Sequence, residues 1–247
     1  MSGHSKWASI KHKKAAIDAK RGQLFTKVIK ELTAAARSGG GNSETNIRLR
    51  TAIAKAKESN MPSDNIEKAI MRGTGELPGV TYEEATYEGY GPNGIAIMID
   101  VVTDNKNRTT AELRNMMSKK NANLASAGSV SFLFQKKGYI VIDKATIEED
   151  KLMNIVLDAG AEDLKGDDKT YEITTEYQDL EAVKTALSGN KIEWQSAEIT
   201  MIPTTTIKIT EKTTANAILA LMDALEEHED VQHVYSNFDI PDELIEE

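Results

Sequence analysis

The sequence contains no cysteine and only four histidines among its 247 residues. The missing cysteine excludes disulfides, thiolate zinc sites and cysteine nucleophiles together. No stretch approaches the roughly 18 to 20 apolar residues of a membrane-spanning helix, and the first residues lack the apolar centre of a secretory signal. A transit peptide is a weaker alternative, because such segments are rich in arginine and serine whereas this one uses mostly lysine. We therefore expect a cytoplasmic protein with no membrane partner.

Catalytic signatures are missing as well. The sequence has no GxSxG elbow, no HExxH pair and no GxxxxGK[ST] phosphate loop. His228 and His233 stand among acidic residues, but their five-residue spacing does not place both rings on one helical face. We interpret them as capping or surface residues. The sequence predicts a protein that is not an enzyme and uses no cofactor or metal.

Charge is distributed very unevenly along the chain. Hydrophobic residues make up 40% and charged residues 28% of the sequence, which fits a soluble globular chain of two or three domains. Residues 1–75 carry ten lysines and five arginines against six acidic residues, a net charge of +9, whereas the remaining 172 residues carry −18. A polyanion would be attracted to one end of this protein and repelled by the rest.

The first 20 residues form the most basic segment, which we call the arm. Lys6, Lys13 and Lys20 recur every seven residues, and Lys14 falls within the apolar stripe that begins at Ile10. Such a segment cannot bury a helical face without burying ammonium groups, which is costly when they are unpaired. We expect the arm to become firm only against an anionic partner. The alternative is a solvated helix whose lysines merely aid solubility.

Apolar spacing predicts three helices after the arm, at residues 22–37, 45–59 and 63–73. Ser43 or Thr45 is the predicted N-cap of the second helix and Ser63 that of the third, with Gly73 as the terminator of the third. We predict one basic helical domain that covers residues 1–75 and includes the arm.

Beyond this domain the apolar period changes to two. TYEEATYEGY and GIAIMIDVV read as a hairpin, NRTTAELRNMMSKK as a helix and SVSFLF as a strand. From KKGYIVID to EWQSAEITMIP the element order is β-α-β-β-α-β, the ferredoxin-like arrangement. TTTIKIT, a helix and VQHVYSNFDI supply one further β-α-β unit. The predicted fold is α+β and multidomain, with a ferredoxin-like α/β domain at 137–203 inserted into a discontinuous α/β domain made of 76–136 and 204–247.

Several side chains outside the lysine repeat suit nucleic-acid contacts. Trp7 can stack on an exposed base, and His12 can hydrogen-bond a phosphate or sugar. Arg108 lies at a strand-to-helix junction, where free backbone N–H groups attract anions. Simpler explanations remain open, since Trp7 can cover the helical domain and the junction can be an ordinary cap and turn.

The second predicted helix carries four cations, Arg48, Arg50, Lys55 and Lys57. They can grip phosphates but form no obvious face for reading bases. We take Arg48 as the representative contact of this helix.

Several motifs resemble the YebC/PmpR family in order and spacing over essentially the full length. They are SGHSKWASIKHKKAAIDAKRGQLFTKVIKEL, YEGYGPNG, TDNKNRTTAELR, GSVSFLFQKKG and VYSNFDIP. Asn93 stands where that family usually has glycine. The resemblance implies three domains around a cleft and a non-enzymatic role in gene expression.

Two functions follow from this resemblance. Family members are described as DNA-binding transcriptional regulators, while mitochondrial relatives activate translation and bacterial relatives act on ribosomes stalled at proline-rich sequence. The implied partners are DNA or ribosomal RNA, with the ribosome as a further partner. The acidic charge of the later domains also suits a basic protein partner. The sequence leaves the oligomeric state open, a monomer being one alternative. The opening motif implies as contacts Lys6, Trp7, Lys11, His12, Lys13, Lys14, Lys20, Arg21 and Lys27.

The residue chemistry and the resemblance favour different targets. A basic arm with a stacking aromatic suits unpaired RNA bases and phosphates, whereas the resemblance favours DNA regulation. A scaffold that binds only proteins is the third class, and it predicts no salt-dependent binding to nucleic acid.

Overall fold

The computed structural model describes residues 19–166 and 169–245, without the side chains of residues 19–21 and 242. Predictions for residues 1–18 therefore lie outside the described part. The described chain forms two compact units. The larger unit comprises residues 19–131, 209–236 and 240–245, and the smaller unit comprises 132–166, 169–208 and 237–239. The predicted α+β fold class, with a helical N-terminal domain, is confirmed, while the boundaries at 75, 136 and 203 stay predictions.

Three helices open the larger unit: α1 (Ala19–Gly39), α2 (Ile47–Glu58) and α3 (Ser63–Thr74). Leu32 and Leu49 are fully buried between them, together with small side chains such as Ala35, Ala56 and Ala69. Alanine at these positions lets the helix axes approach closely without leaving cavities. The three predicted helices are therefore present within a few residues of their predicted ends.

The helix caps differ from those predicted. Asn46, rather than Ser43 or Thr45, caps α2, since its Oδ1 accepts the Leu49 N–H at 3.0 Å. In α3, Ser63 is the first helical residue and Pro62 is the N-cap. Gly75, with φ of 84°, ends α3 in the left-handed region, where glycine has no steric penalty. Gly73 lies inside the helix and does not terminate it.

The remaining elements alternate between strands and helices. In the described residues the strands are β1 (Glu83–Tyr90), β2 (Ala96–Thr103), β3 (Asn123–Ala125), β4 (Phe134–Asp143), β5 (Ala161–Gly166), β6 (Thr170–Glu176), β7 (Ser196–Pro203), β8 (Ile207–Lys208), β9 (Val231–Ser236) and β10 (Phe238–Asp239). The helices are α4 (Lys106–Lys119), α5 (Glu149–Asp158), α6 (Leu180–Gly189) and α7 (Lys212–Glu227).

The larger unit contains an antiparallel sheet in the order β3-β1-β2-β9. Strand β2 is central and nearly all buried, as its sequence AIMIDVVT requires. Strand β9 joins β2 from more than 120 residues further along the chain, so this sheet combines segments on both sides of the ferredoxin-like insertion. Helix α7 contributes a fully buried apolar row that includes Ile218, Leu221 and Leu225.

The smaller unit is the predicted β-α-β-β-α-β unit. Its antiparallel sheet has the order β5-β6-β4-β7, which places the second, third, first and fourth strands side by side as in ferredoxin-like folds. Ile140, Ile142 and Ile173 lie on the face covered by α5 and α6, against Leu152 and Val183. Residues that alternate with them, such as Tyr139, Val141 and Glu172, occupy the opposite face, as the two-residue period of a strand dictates.

Two predicted strands are wrong in detail. SVSFLF is not a strand, because residues Ser131–Leu133 form a 3₁₀ turn and β4 starts only at Phe134. TTTIKIT contributes only β8, which pairs in parallel with β10 instead of joining the larger sheet. Asn93 adopts φ of 61°, a left-handed conformation that asparagine tolerates better than most residues.

Within the described ranges, no helix is both long and apolar enough to cross a membrane.

Candidate nucleic-acid interface

Most of the predicted contacts belong to the arm, which the structure does not describe. Lys6, Trp7, Lys11, His12, Lys13 and Lys14 lie outside the described residues. Lys20 and Arg21 belong to the first turn of α1, and their side chains are also outside the description. The arm therefore remains a prediction. Of the predicted contacts, Lys27, Arg48 and Arg108 have described side chains.

Lys27 is directed into the larger unit. Its half-buried Nζ donates to the Glu226 carbonyl oxygen at 2.5 Å, in the last turn of α7. Lys30, one turn further along α1, is buried and donates to the Glu229 carbonyl at 3.2 Å. Both ammonium groups thus meet the end of α7, where unsatisfied carbonyls give a helix its negative pole.

Lys30 also pairs with Asp230, whose carboxylate accepts hydrogen bonds from four side chains. The Asp230 carboxylate has no exposed surface, and its Oδ1 lies 2.5 Å from Lys30 Nζ. Its Oδ2 accepts from the hydroxyls of Thr103 and Thr109 and from Arg108. Burial raises the pKa of Asp230, but the bonds from Lys30, Thr109 and Arg108 outweigh burial and lower the pKa to about 2. The carboxylate is therefore ionised and fully hydrogen-bonded, as a buried charge must be.

Arg108 is surrounded by carboxylates. One of its terminal nitrogens lies 2.9 Å from both Asp230 Oδ2 and Asp104 Oδ1, and its Nε lies 3.8 Å from Glu112. Asn105 caps α4 beside it by accepting the Arg108 N–H at 3.1 Å. A phosphate at this helix terminus would meet three negative groups. The contact of Arg108 with nucleic acid stays a prediction. These ion pairs oppose it, because the carboxylates would repel a phosphate.

Arg48 is held on one flank of α2 by two glutamates. Its guanidinium donates to both oxygens of Glu31, at 2.7 and 3.0 Å, and to Glu84 at 2.8 Å. The hydrogen bond to Glu31 is the main reason why the pKa of Arg48 is raised. This two-pronged pairing joins α1, α2 and β1 within the larger unit. Two carboxylates thus balance the charge of Arg48 within the larger unit, which weakens its attraction for a phosphate.

The other flank of α2 is open to solvent. Arg50 and Lys57 are exposed seven residues apart, and neither has an ion pair or side-chain hydrogen bond among the described residues. Ile47 beside them is 57% exposed. The sequence already showed all the cations of α2, but apolar spacing could not reveal which flank would meet Glu31 and Glu84. The structure therefore moves the exposed positive charge of α2 from Arg48 to Arg50 and Lys57.

Glu112, His228 and Asp230 place ligand atoms within 4.8 Å of one another, as metal ligands do. The surrounding charges argue against a cation at this place. Both Asp230 oxygens already accept hydrogen bonds, two of them from the cations Lys30 and Arg108. His228 Nδ1 accepts the Asp230 N–H at 3.1 Å, so Nε2 carries the ring proton toward Glu112 at 3.0 Å. His228 is the C-cap of α7, in line with its predicted capping role.

The chain matches two family profiles that together span most of its length. Residues 5–76 match the TACO1/YebC protein N-terminal domain, and residues 82–238 match the TACO1/YebC second and third domain. The protein is 55% identical over 244 residues to a protein of Desulfosudis oleivorans, covering 99% of each chain. It is 57% identical over 240 residues to one of Acidobacterium capsulatum, covering 97% of each. Both relatives are named "Probable transcriptional regulatory protein".

A solved structure is similar over the whole chain. The crystal structure of a conserved hypothetical protein from Aquifex aeolicus superimposes with a TM-score of 0.85 at 45% sequence identity. The match covers 98% of this chain and 100% of that one.

Proposed function

The chain belongs to the TACO1/YebC family, and from this membership we propose that it is a non-enzymatic, nucleic-acid-binding regulator of gene expression, acting on DNA as a transcriptional regulator. The observation that carries the proposal is the partition of charge, +9 over residues 1–75 against −18 over the rest. The name that its relatives bear, transcriptional regulatory protein, agrees with a nucleic-acid partner.

The basic end supplies two kinds of contact in this proposal. The arm, with Lys6, Lys13 and Lys20 at seven-residue intervals, lies along the phosphate backbone. The outward flank of α2, with Arg50 and Lys57, adds a second row of cations on a folded helix. Since phosphate contacts fix position and not sequence, these residues set affinity and register.

The α/β part sets orientation by repulsion. In the smaller unit, Lys137 is neutralised by Glu162 at 2.7 Å and Glu176 at 2.6 Å on the sheet face away from the helices. In RNA-binding domains of similar topology this face stacks bases on aromatic side chains. Tyr139 on this face is buried and unavailable for stacking, and glutamates around a paired lysine repel phosphates, so we place the interface on the N-terminal side of the chain.

Charge reversal in the arm tests the proposal. The double variant Lys13→Glu with Lys20→Glu should bind a DNA duplex at least about ten-fold more weakly in fluorescence anisotropy, because two phosphate contacts become repulsive. Lys119→Glu with Lys120→Glu is the matched control, since both lysines are exposed at the end of α4 and the net charge change is identical. Equal losses in the two variants, or no loss in either, would remove the arm from the mechanism.

One observation favours ribosomal RNA as the alternative target, with the protein acting as a translation factor. The outward face of α2 presents Arg50, Ala54 and Lys57, without the Asn, Gln and Arg combination that reads base edges in the major groove. Backbone-directed binding of this kind suits a structured RNA as well as DNA. Sedimentation of a lysate on a sucrose gradient separates the two targets, because nuclease treatment that dissolves ribosomes would release a ribosome-bound protein.

A further inference from the structure

The larger unit contains a cavity of about 370 Å³ that none of the preceding functions uses. It lies between the last turns of α1 and α3 and the segment of residues 75–82 that leads to β1. Two arginines, Arg37 and Arg72, line it. Its volume is within the range of small-molecule sites, roughly 300 to 1,000 Å³.

A close contact between α1 and α3 borders the cavity that both arginines line. A Cβ on Gly73 would lie 2.5 Å from the Thr33 carbonyl oxygen and 2.7 Å from Ala36 Cβ, so only glycine lets α3 approach α1 this closely. Gly75 then turns the chain back with φ of 84°, and Leu77 N–H bonds to the Met71 carbonyl at 3.1 Å. The returning segment forms the wall of the cavity that faces the arginines.

The two guanidinium groups differ in how they are held. Arg37 donates one N–H to the Tyr82 carbonyl at 2.8 Å, which fixes its plane and leaves its other donors available. Arg72 has its aliphatic stem over Gly79, where Cγ and Cδ would be only 3.0 Å from an added Cβ. Its guanidinium has no hydrogen-bond or ion-pair partner among the described residues.

The described cavity lining itself carries no carboxylate to balance these charges. Among the described residues that line the cavity there is no aspartate or glutamate. Glu83, outside the lining, follows Tyr82 in the chain, and its carboxylate is paired with Lys106 at 2.8 Å while also attracting Arg37 more weakly. The protein as a whole has a net charge of −9, yet the described lining of this cavity has two cations and no anion. Such a lining attracts an anionic ligand.

We propose that this cavity binds a phosphate group, held between the guanidinium groups of Arg37 and Arg72. Arginine offers a planar fork of donors that matches phosphate oxygens two at a time. The phosphate can be a diester of the nucleic-acid backbone or the free group of a small phosphorylated molecule. The first source rests on the proposed function and would give the nucleic acid a fixed anchor, whereas the second does not depend on it.

Inorganic phosphate is the probe for the site itself. Titration of the full chain, followed by the NMR resonances of arginine Nε–H groups, should shift the signals of Arg37 and Arg72 and leave that of Arg50 unchanged. Arg72→Gln should weaken phosphate binding about ten-fold or more, the loss expected for a charge-assisted fork of hydrogen bonds. Arg50→Gln removes the same charge outside the cavity and should change it less than about two-fold.

A second variant changes no charge. Gly79→Ala places a methyl group 3.0 Å from Cγ and Cδ of Arg72, displaces that side chain and should also weaken phosphate binding. Equal effects of Arg72→Gln and Arg50→Gln, or acetate binding as tightly as phosphate, would overturn the proposal, because either result indicates general attraction of anions.

Two ligands then separate the sources. If the phosphate belongs to nucleic acid, Arg72→Gln weakens binding of a DNA duplex while adenosine monophosphate competes poorly. If it belongs to a small molecule, adenosine monophosphate binds and Arg72→Gln leaves duplex affinity unchanged. Either result supports the site. If the arm variants do not affect duplex binding, the proposed function is contradicted but the phosphate site is not, because inorganic phosphate binding is measured without nucleic acid.

Discussion

Asp230 gathers four side-chain donors, from Lys30, Thr103, Arg108 and Thr109, onto one buried carboxylate. Through Lys30 it attaches the helical domain to the end of α7, and through Arg108 it attaches α4. A buried charge pair of this kind stabilises the fold little compared with a well-packed apolar pair. Removing one partner, however, leaves the other charge buried without a counter-charge. At this site the cations of the basic end hold the fold together and do not face a partner.

Replacing Asp230 should therefore be severe. Asp230→Asn leaves the buried Lys30 ammonium without a counter-charge and should lower the free energy of unfolding by about 3 to 5 kcal/mol in urea titration. Asp104→Asn is the control, because Asp104 pairs with Arg108 at the surface and such pairs contribute within about 1 kcal/mol. Similar losses in both variants would contradict the larger contribution of Asp230 to the free energy of unfolding.

The same carboxylate predicts an acid dependence. Its pKa is about 2 in the folded protein, below the ordinary value of 3.8, so its ionised form stabilises the fold. That contribution is complete above about pH 4 and is lost as the pH falls toward 2. The stability difference between wild type and Asp230→Asn should shrink over this interval. A difference that is constant from pH 5 to pH 2 would contradict the assignment.

Glu88 holds a loop by its backbone. The buried carboxylate accepts the N–H groups of Gly128, Val130 and Ser131 at 2.6 to 2.9 Å. Burial raises the pKa of Glu88, but these three bonds together lower it below its usual value. Glu88→Gln replaces one acceptor oxygen with a donor and should increase hydrogen exchange at these amides about ten-fold or more. Glu83→Gln, at an exposed ion pair, should leave them unchanged.

The candidate site could be predicted from the sequence only as a region. The excess of lysine and arginine before residue 75 is visible in the sequence, but the fate of each cation depends on contacts with distant residues. Arg48 meets Glu84 and Lys27 meets Glu226, whereas Arg50 meets no charged group among the described residues. Helical periodicity separates inward from outward faces, but not one flank from the other.

The close crossing of α1 and α3 illustrates how one residue determines the geometry of an element. Gly73→Ala places a methyl group against the Thr33 carbonyl and should destabilise the helical domain by roughly 1 to 3 kcal/mol, since a packed contact has no room to expand. Gly22→Ala in α1 is the matched control, because a Cβ there meets nothing within 4 Å. Alanine favours a helix over glycine, so that change should stabilise by up to about 1 kcal/mol. Thermal unfolding by circular dichroism measures both, and equal changes would contradict the crossing.

Element prediction succeeded where the pattern is local. Apolar periodicity was enough for α1 to α3 and for the whole β-α-β-β-α-β unit, because each element there buries one face of its own. The strand predicted for SVSFLF was wrong for a non-local reason. Its alternation suits a strand, but the N–H groups of Val130 and Ser131 are bound by Glu88 on β1 and are unavailable to a sheet.

The prediction for TTTIKIT was wrong for a similar, non-local reason, since only β8 forms there. Its partner β10 lies 30 residues further along the chain and is only two residues long, Phe238–Asp239. A pairing of that size leaves no periodic signal in either segment. The sequence predicted a discontinuous α/β domain but no strand order, and the pairing of β9 with β2 is what connects its two segments.

At the scale of the whole molecule, charge is divided between a basic end and an acidic remainder. Cations of the basic end that point inward, such as Lys30 and Arg48, are neutralised by carboxylates of the larger unit. Arg50, Lys57 and Arg72 have no ion-pair partner among the described residues. The basic end therefore carries positive charge that its own carboxylates do not neutralise, in spite of a net charge of −9 for the whole protein.

The salt dependence of binding tests this division most directly. Equilibrium affinity for a DNA duplex and for a ribosomal RNA fragment, measured from about 50 to 200 mM salt, reports the number of phosphates contacted. For about six contacts, the logarithm of the binding constant should fall against the logarithm of salt concentration with a slope near −5 for the duplex. A slope near zero for both nucleic acids would contradict the account.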